Sequence, residues 1–341
     1  MDSTSFFLQG MKERPRRLRQ TPAIRALAQE TLLAPADLIY PLFLEAIEPD
    51  PVPIPTLPGQ FRWPLNHLVQ ACEHFMARGV RTVNLFGTTP EKDAEGRRAL
   101  DPDGSVPQAV RLLKSALPGL CVQTDVALDP YTSHGHDGLL RNGVIDNDAT
   151  LDLLAQMACL HAEAGADWVA PSDMMDGRVG FLRQALDAAG FTQTCILAYS
   201  AKYASCFYGP FRGALDTAAL SEPRDKKTYQ MNPANRLEAL REVELDIREG
   251  ADAVMIKPGG FYLDVVREVK NRVHLPVAAY QVSGEFAMMH AAAEKGWLDL
   301  HDAMCESLLC YKRAGADMIL TYFAPDMAQH LNSGTQPQAT T

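Results

Sequence analysis

From Leu38 onward, short apolar runs alternate with longer stretches in which apolar residues recur every three or four positions. The short runs are typical of buried strands, and the longer stretches are typical of amphipathic helices. We therefore predict eight strands and eight helices in alternation. The predicted strands cover residues 38–44, 82–86, 120–126, 168–170, 195–199, 253–256, 277–280 and 318–321. The predicted helices cover approximately residues 65–78, 107–117, 151–164, 179–189, 233–249, 262–272, 286–294 and 301–314.

Three of the predicted helix-to-strand connections have nearly the same sequence: EAGADWVAPSD at 163–173, REGADAVMIKP at 248–258 and KRAGADMILTYF at 312–323. In each, a glycine can end the helix in a left-handed conformation, and Ala-Asp then leads into an apolar strand. Eight strand–helix units that share such a connection predict a parallel (β/α)₈ TIM barrel. The alternative is an open doubly wound sheet, which is disfavoured because no GxGxxG or Walker loop follows a predicted strand.

The composition agrees with one large barrel, because 341 residues with 47% apolar side chains can bury an extensive core. No apolar run approaches the roughly 18 residues of a membrane span. The N-terminus has no signal-like apolar block, and the seven cysteines contain no CxxC pair. We therefore predict a cytoplasmic protein that has reduced thiols and does not bind membranes.

The net charge of −10 argues against a general affinity for nucleic acid. Basic residues are nevertheless concentrated near the start of the chain. This segment is either a nucleic-acid-binding arm or, as the acidic body favours, an arm that lies on a neighbouring subunit. We predict an extended N-terminal arm at residues 1–35, a catalytic barrel at 36–330 and a flexible tail at 331–341. The basic residues are Lys12, Arg14, Arg16, Arg17, Arg19 and Arg25.

Polar residues follow the ends of most predicted strands, and two of them are lysines, Lys202 and Lys257. In a barrel these strand ends meet on one face, where active sites are built. The two lysines follow consecutive strands about 4.8 Å apart, so both amines can point into one pocket. Burial and mutual repulsion would then leave at least one amine neutral, and a neutral amine attacks ketones to form a Schiff base. The alternative for each lysine alone is an ordinary surface residue.

Eight sequence strings in this order resemble the 5-aminolevulinate dehydratase (porphobilinogen synthase) family, and they span nearly the whole chain beyond the arm. The strings are LFG (85–87), DVALDPYTSHGHDG (125–138), VAPSDMMDGR (169–178), YSAKYASCFYGPFR (199–212), KTYQMNPAN (227–235), MIKPG (255–259), YQVSGE (280–285) and GADMILTYF (315–323).

The resemblance implies a lyase of tetrapyrrole biosynthesis, which supplies heme and chlorophyll-type pigments. Such an enzyme condenses two 5-aminolevulinate molecules to porphobilinogen with loss of two water molecules. Lys257 would form a Schiff base with the substrate that gives the propionyl side, and Lys202 with the substrate that gives the acetyl side. Ser172 would assist, and Asp125 and Asp129 are candidates to orient the substrate amine or transfer protons.

The resemblance also implies two sets of side chains that hold the substrate carboxylates. Ser283 and Tyr322 would hold one carboxylate, whereas a turn residue and a core tyrosine are the alternatives without the resemblance. Phe211 and Tyr208 are further candidates to contact substrate, although ordinary packing is the alternative for both. The set for the other carboxylate consists of Arg212, Lys226 and Gln230.

Metal binding is where this chain departs from the zinc-dependent relatives. These relatives have three cysteines where this chain has Ala127, Asp129 and Asp137. Carboxylates suit Mg²⁺ and other hard cations, so no catalytic zinc is expected, and Asp129 and Asp137 are candidates for an active-site cation. His134 and His136 are expected to make hydrogen bonds within their loop, with metal binding as the alternative.

Glu242 falls where some relatives bind a regulatory Mg²⁺ between subunits, and a solvated helix face is the alternative. The resemblance further implies a homo-octamer that is held together by its N-terminal arms. Two other functions stay open: another Schiff-base barrel such as an aldolase, and a barrel that only assembles. An aldolase would need one lysine and usually a phosphate loop, whereas an assembly barrel would have lost a lysine or a carboxylate-binding residue.

Overall fold

The computed structural model describes residues 13–214 and 225–334, except for the side chains of Arg212 and Gly213. The chain divides into two compact units, Met1–Leu32 and Leu33–Thr341. In the described part of the first unit, a 3₁₀ turn at Pro15–Arg19 is followed by helix α1 (Pro22–Leu27). The side chain of Thr21 caps α1 by accepting a hydrogen bond from the backbone NH of Ile24 at 3.2 Å. The division into arm, barrel and tail stays a prediction.

Eight parallel strands of the second unit close into a barrel, because the last strand also pairs with the first. The predicted (β/α)₈ barrel is therefore confirmed. Most of these strands are nearly continuous apolar runs because both of their faces are covered, whereas β5 contains Gln123, Thr124 and Asp125. The barrel strands are β1 (Leu38–Leu44), β4 (Thr82–Phe86), β5 (Cys121–Val126), β8 (Trp168–Pro171), β9 (Cys195–Lys202), β10 (Ala253–Lys257), β11 (Val277–Tyr280) and β12 (Met318–Leu320). Four short strands form hairpins that the apolar pattern does not predict: β2 (Val52–Pro53) with β3 (Phe61–Trp63), and β6 (Leu139–Arg141) with β7 (Val144–Asp146).

Ten helices belong to the described part of the second unit. One of them begins four residues later than predicted, at Leu237 and not at 233, and two short helices at 209–214 and 324–332 are unpredicted. No described helix is long and apolar enough to cross a bilayer. The helices are α2 (Leu65–Arg78), α3 (Ser105–Ala116), α4 (Asn147–Glu163), α5 (Arg178–Ala188), α6 (Gly209–Ala214), α7 (Leu237–Glu249), α8 (Leu263–Lys270), α9 (Ser283–Glu294), α10 (Leu300–Ala314) and α11 (Ala324–Asn332).

The three repeated connections share one geometry. Their glycines, at 165, 250 and 315, all have φ between 104° and 114°, a left-handed conformation that an L side chain rarely adopts. The aspartate two residues later then binds the neighbouring strand. The carboxylates of Asp167, Asp252 and Asp317 each accept a hydrogen bond of 2.7–2.8 Å from a backbone NH at the start of that strand. The repeated Gly-Ala-Asp therefore ends a helix and aligns two strands at the same time.

Candidate active site

Lys202 and Lys257 lie side by side at the carboxyl ends of adjacent strands. Lys202 is the last residue of β9 and Lys257 the last residue of β10, and their Cα atoms are paired in the sheet register. Both side chains point into the protein and are at most 6% exposed. Their proximity follows from the parallel pairing, since residues at the same register on neighbouring strands are about 4.8 Å apart.

The amine of Lys257 is surrounded by aromatic rings. Its Nζ lies 4.5 Å from the ring centre of Tyr280, 5.0 Å from that of Phe211, 5.1 Å from that of Tyr199 and 5.4 Å from that of Tyr208. The rings provide cation–π attraction but little hydration. Burial, followed by the positive charge of Lys202, lowers the pKa of Lys257 from 10.5 to about 7. A large share of this amine is therefore unprotonated at neutral pH.

Lys202 has polar surroundings instead. Its Nζ donates a hydrogen bond to the backbone carbonyl of Ser172 and lies 3.5 Å from Oδ1 of Asp137. The other oxygen of Asp137 lies 2.8 Å from Nζ of Lys226, which also approaches Oδ2 of Asp129 at 3.1 Å. Asp137 thus links Lys202 to Lys226, and the two lysines of the barrel strands differ sharply in environment.

The three aspartates of this region have different protonation behaviour. Burial, and then the charge of Asp129, raises the pKa of Asp125 to about 7, while the charges of Lys202 and Lys257 and a hydrogen bond from Ser172 oppose that rise. Burial and Asp137 raise the pKa of Asp129 above its usual range. Burial alone would raise the pKa of Asp137, but Lys202 and Lys226 outweigh it and lower that pKa to about 2. Asp137 is therefore a fixed negative charge, whereas Asp125 can exchange a proton near neutral pH.

Lys226 keeps its proton for the same reason that Asp137 loses it. Burial alone would lower the pKa of the Lys226 amine, but Asp129 and Asp137 hold that pKa above its ordinary value. Lys226 is therefore a permanent cation in this region. Gln230 is buried, and it follows Lys226 by four residues. Its backbone NH donates a hydrogen bond to the backbone carbonyl of Lys226 at 2.8 Å. Arg212, the third residue predicted for this set, has its side chain outside the described residues.

Ser283 and Tyr322 approach the site from the side of Lys257. Ser283 is the first residue of α9, and its hydroxyl accepts a hydrogen bond from the backbone NH of Phe211 at 3.0 Å. The hydroxyl of Tyr322 lies 3.3 Å from that of Tyr280, whose ring faces the amine of Lys257. Each of the two hydroxyl groups thus contacts a residue whose ring faces the amine of Lys257.

The histidines of the loop after β5 make hydrogen bonds within the protein. Nε2 of His134 lies 3.1 Å from the carbonyl of Ala94, and Nδ1 accepts from the backbone NH of His136. Nδ1 of His136 lies 3.0 Å from the hydroxyl of Tyr229. These contacts agree with the expected role of both histidines in holding the loop.

Carboxylate oxygens are suitable ligands for a hard cation such as Mg²⁺. Among the described residues, however, the carboxylates of Asp129 and Asp137 form ion pairs with lysine ammonium groups. Asp129 and Asp137 both contact Lys226. No three carboxylates of this region have oxygens within 4.8 Å of one another among the residues that the structure describes. An oxygen-preferring cation would therefore need to compete with Lys226 or bind with several waters.

Glu242 lies apart from the lysines, half-buried on α7. Burial raises its pKa, and Asp246, Asp176 and Glu238 add to the rise while Arg178 opposes it. Arg178 and Asp246 form a buried ion pair, with Nη1 and Oδ1 2.7 Å apart. Three carboxylates and one guanidinium therefore act on Glu242, and the guanidinium of Arg178 is the strongest of these charges.

Three tyrosines of the site were missed from the sequence. Tyr199 and Tyr280 lie inside predicted strands, where an aromatic residue is more often part of the core. Tyr229 lies on the loop beyond Lys226 and joins the hydrogen bonds of His136. A usable signal for the first two is that each lies within three residues of a strand end, so that its ring reaches the catalytic face of the barrel.

Known proteins resemble this chain over most of its length. The family model described as "Delta-aminolevulinic acid dehydratase" matches residues 12–330. The delta-aminolevulinic acid dehydratase of Chlamydia pneumoniae is 50% identical over 326 residues, which are 95% of this chain and 98% of that protein. The protein of the same name from Bradyrhizobium diazoefficiens is 52% identical over 322 residues, which are 94% of this chain and 91% of that protein. A crystal structure of delta-aminolevulinic acid dehydratase (porphobilinogen synthase) from Toxoplasma gondii, in complex with the reaction product porphobilinogen, is 47% identical, with a TM-score of 0.93 and coverage of 96% of this chain and 93% of that chain.

Proposed function

The chain belongs to the delta-aminolevulinic acid dehydratase family, and we propose that its two buried lysines each form a Schiff base with one substrate molecule. The reaction is the condensation of two 5-aminolevulinate molecules to porphobilinogen with loss of two water molecules, and the enzyme is a lyase. The observation that carries the proposal is the pairing of Lys202 and Lys257 in one register at the catalytic face of the barrel.

Lys257 is the nucleophile to which we assign the first attack, because about half of its amine is neutral at pH 7. This amine attacks the ketone carbon of one substrate, and the resulting carbinolamine loses water to give an imine. Asp125 can supply the proton that leaves with the hydroxyl group, since its pKa is also near 7. The protonated imine then withdraws electrons from the neighbouring carbon, which can lose a proton and attack the second substrate.

The contacts support the assignment of one substrate to each lysine. Ser283 contacts Phe211 and Tyr322 contacts Tyr280, and the rings of Phe211 and Tyr280 both face the amine of Lys257. We assign to Lys257 the substrate that gives the propionyl side. The hydroxyl groups of Ser283 and Tyr322 would then bind the carboxylate of this substrate.

Lys226 reaches Lys202 through Asp137, so we assign the acetyl-side substrate to Lys202. Lys226, Gln230 and Arg212 would then hold the carboxylate of this second substrate.

Mg²⁺ is the metal that we propose for this chain, with Glu242 as a ligand of a regulatory ion. The three carboxylates that act on Glu242 support this role, and Mg²⁺ would supply charge neutralisation there. Asp129 and Asp137 are weaker candidates for a second ion because Lys226 already pairs with both. Carboxylates in place of the zinc cysteines support Mg²⁺ over Zn²⁺ in the active site. Glu242→Gln should abolish activation by added Mg²⁺, and activation that persists in this variant would contradict the assignment.

We also propose a cytoplasmic homo-octamer whose N-terminal arms bind neighbouring subunits. The basic residues of the arm and the acidic charge of the whole chain support such contacts, because opposite charges favour association. Light scattering of the full chain should give the mass of eight copies, and a mass of fewer than eight copies would refute the octamer.

The experiment that tests the chemistry is borohydride reduction in the presence of 5-aminolevulinate, followed by peptide mass spectrometry. We expect adducts on Lys257 and Lys202, and we expect Lys257→Ala to abolish formation of the pyrrole product that reacts with Ehrlich reagent. Lys227→Ala is the matched control, because Lys227 is adjacent to the site in sequence but its side chain is 73% exposed. If neither Lys202 nor Lys257 carries an adduct, the double Schiff-base mechanism is refuted.

A further inference from the structure

Two histidines and a cysteine form a cluster on the outer helices of the barrel. His301 and Cys305 lie on α10 and His330 lies on α11. Each residue has one potential ligand atom, and the three atoms lie within 4.8 Å of one another. Among the described residues, no other three His, Cys, Asp or Glu side chains meet this condition. We call this group the His–Cys cluster.

The spacing of the cluster is close to that of a tetrahedral metal site. His301 and Cys305 are four residues apart, so they share one face of α10. Sγ of Cys305 lies 3.7 Å from Nε2 of His301, and the rings of His301 and His330 have their centres 4.6 Å apart. Zn–N and Zn–S bonds of about 2.0 and 2.3 Å place a nitrogen and a sulfur about 3.5 Å apart in a tetrahedron. The cysteine and the first histidine therefore already have the separation that a zinc ion requires.

Two further observations favour a cation at the His–Cys cluster. Nε2 of His330 is buried and has no hydrogen-bond partner among the described residues. Buried ring nitrogens normally have a partner, so an unpartnered one calls for a water or an ion. The carboxylates of Asp299 and Asp302 act electrostatically on Cys305, which adds negative charge beside the cluster. A divalent cation would be attracted by that charge.

We propose that the His–Cys cluster binds one Zn²⁺ through His301, Cys305 and His330, with water in the fourth position. Imidazole and thiolate are ligands that zinc accepts and Mg²⁺ does not. This site is separate from the residues around Lys202 and Lys257, and it does not depend on the function proposed for them. Because it joins α10 to α11, the bound ion stabilises the attachment of the last barrel helix.

Cobalt absorption tests the site directly, because Co²⁺ replaces Zn²⁺ and a cysteine thiolate gives it a charge-transfer band in the near ultraviolet. The full chain is stripped of metal under reducing conditions and titrated with Co²⁺ in excess Mg²⁺, which fills oxygen-rich sites. We expect a band that saturates at one ion per chain and disappears when Zn²⁺ is added. Zn²⁺ should also raise the unfolding temperature of the unmodified chain.

The variants decide whether the band belongs to the His–Cys cluster. Cys305→Ser and His301→Ala should both lose the band and the zinc-dependent shift in unfolding temperature. His301 is exposed, so its replacement keeps the fold. Cys310→Ser, on the same helix but outside the cluster, is the control and should keep both signals. A band that is absent, or one that survives His301→Ala and Cys305→Ser, would overturn the proposal. Porphobilinogen formation with Mg²⁺ should be unchanged in His301→Ala, which separates this result from any failure of the active-site assignment.

Discussion

The low pKa of Lys257 makes a quantitative prediction about its reactivity. A pKa of about 7, lowered from 10.5, leaves about half of this amine neutral at pH 7. An amine with the ordinary pKa of about 10.4 would be neutral in only about one molecule in 2,500 at that pH. Lys257 should therefore react with a ketone roughly a thousandfold faster than an exposed lysine of equal intrinsic nucleophilicity.

Two substitutions should move this pKa in opposite directions. Lys202→Met removes a nearby positive charge that lowers the pKa of Lys257, so that pKa should rise. Asp125→Asn removes a negative charge that favours the ammonium form, so the pKa of Lys257 should fall. Both signs follow from charges that act on one amine.

Reductive trapping with a keto acid measures the effect, because it does not require turnover. The protein is incubated with the keto acid and cyanoborohydride over a pH series, and the modified fraction of each lysine is determined by peptide mass spectrometry. Lys227 serves as the exposed reference within the same sample. We expect Lys257 to reach half-maximal modification near pH 7. A Lys257 profile identical to that of Lys227, or one that moves to lower pH in Lys202→Met, would refute the reasoning.

Three further predictions concern stability and substrate binding. The pKa of Lys257 is lower in the folded than in the unfolded chain, so its cost to stability is fully present below pH 7 and vanishes as the pH rises to about 10.5. Lys257→Met should therefore stabilise the fold by up to roughly 5 kcal/mol at pH 6 and by little at pH 10, as measured by thermal unfolding; equal effects at both pH values would contradict this. Asp246→Ala leaves Arg178 buried without its ion-pair partner and should lower the free energy of unfolding in urea by about 3–5 kcal/mol, whereas a neutral effect would argue against a strong pair. Gly284→Ala would place a Cβ 2.5 Å from the carbonyl oxygen of Phe207, and by displacing that segment it should reduce kcat/KM roughly tenfold to a hundredfold; unchanged kinetics would show that the segment does not position substrate.

The sequence alone predicts the barrel well, because most of the buried parallel strands consist of consecutive apolar residues. The predicted bounds 38–44, 82–86 and 277–280 agree with strands β1, β4 and β11 at both ends. Predictions from the sequence are weaker for segments that are too short to show a pattern of apolar and polar residues. The hairpins of β2 with β3 and of β6 with β7 are too short to show an alternation, and α7 begins four residues after its predicted start.

The candidate lysines were also visible in the sequence, since each follows an apolar run and the repeated connections imply a closed barrel. What only the tertiary structure decides is how the side chains affect one another. The rings of Tyr199 and Tyr280 come from different strands, and together with Lys202 they create the environment that makes the amine of Lys257 neutral. Local sequence determines which segments become strands because that choice depends on the residue's own apolarity. The pKa of a buried group depends on charges and solvent exclusion contributed by residues far away in the chain, so it exists only after the barrel has closed.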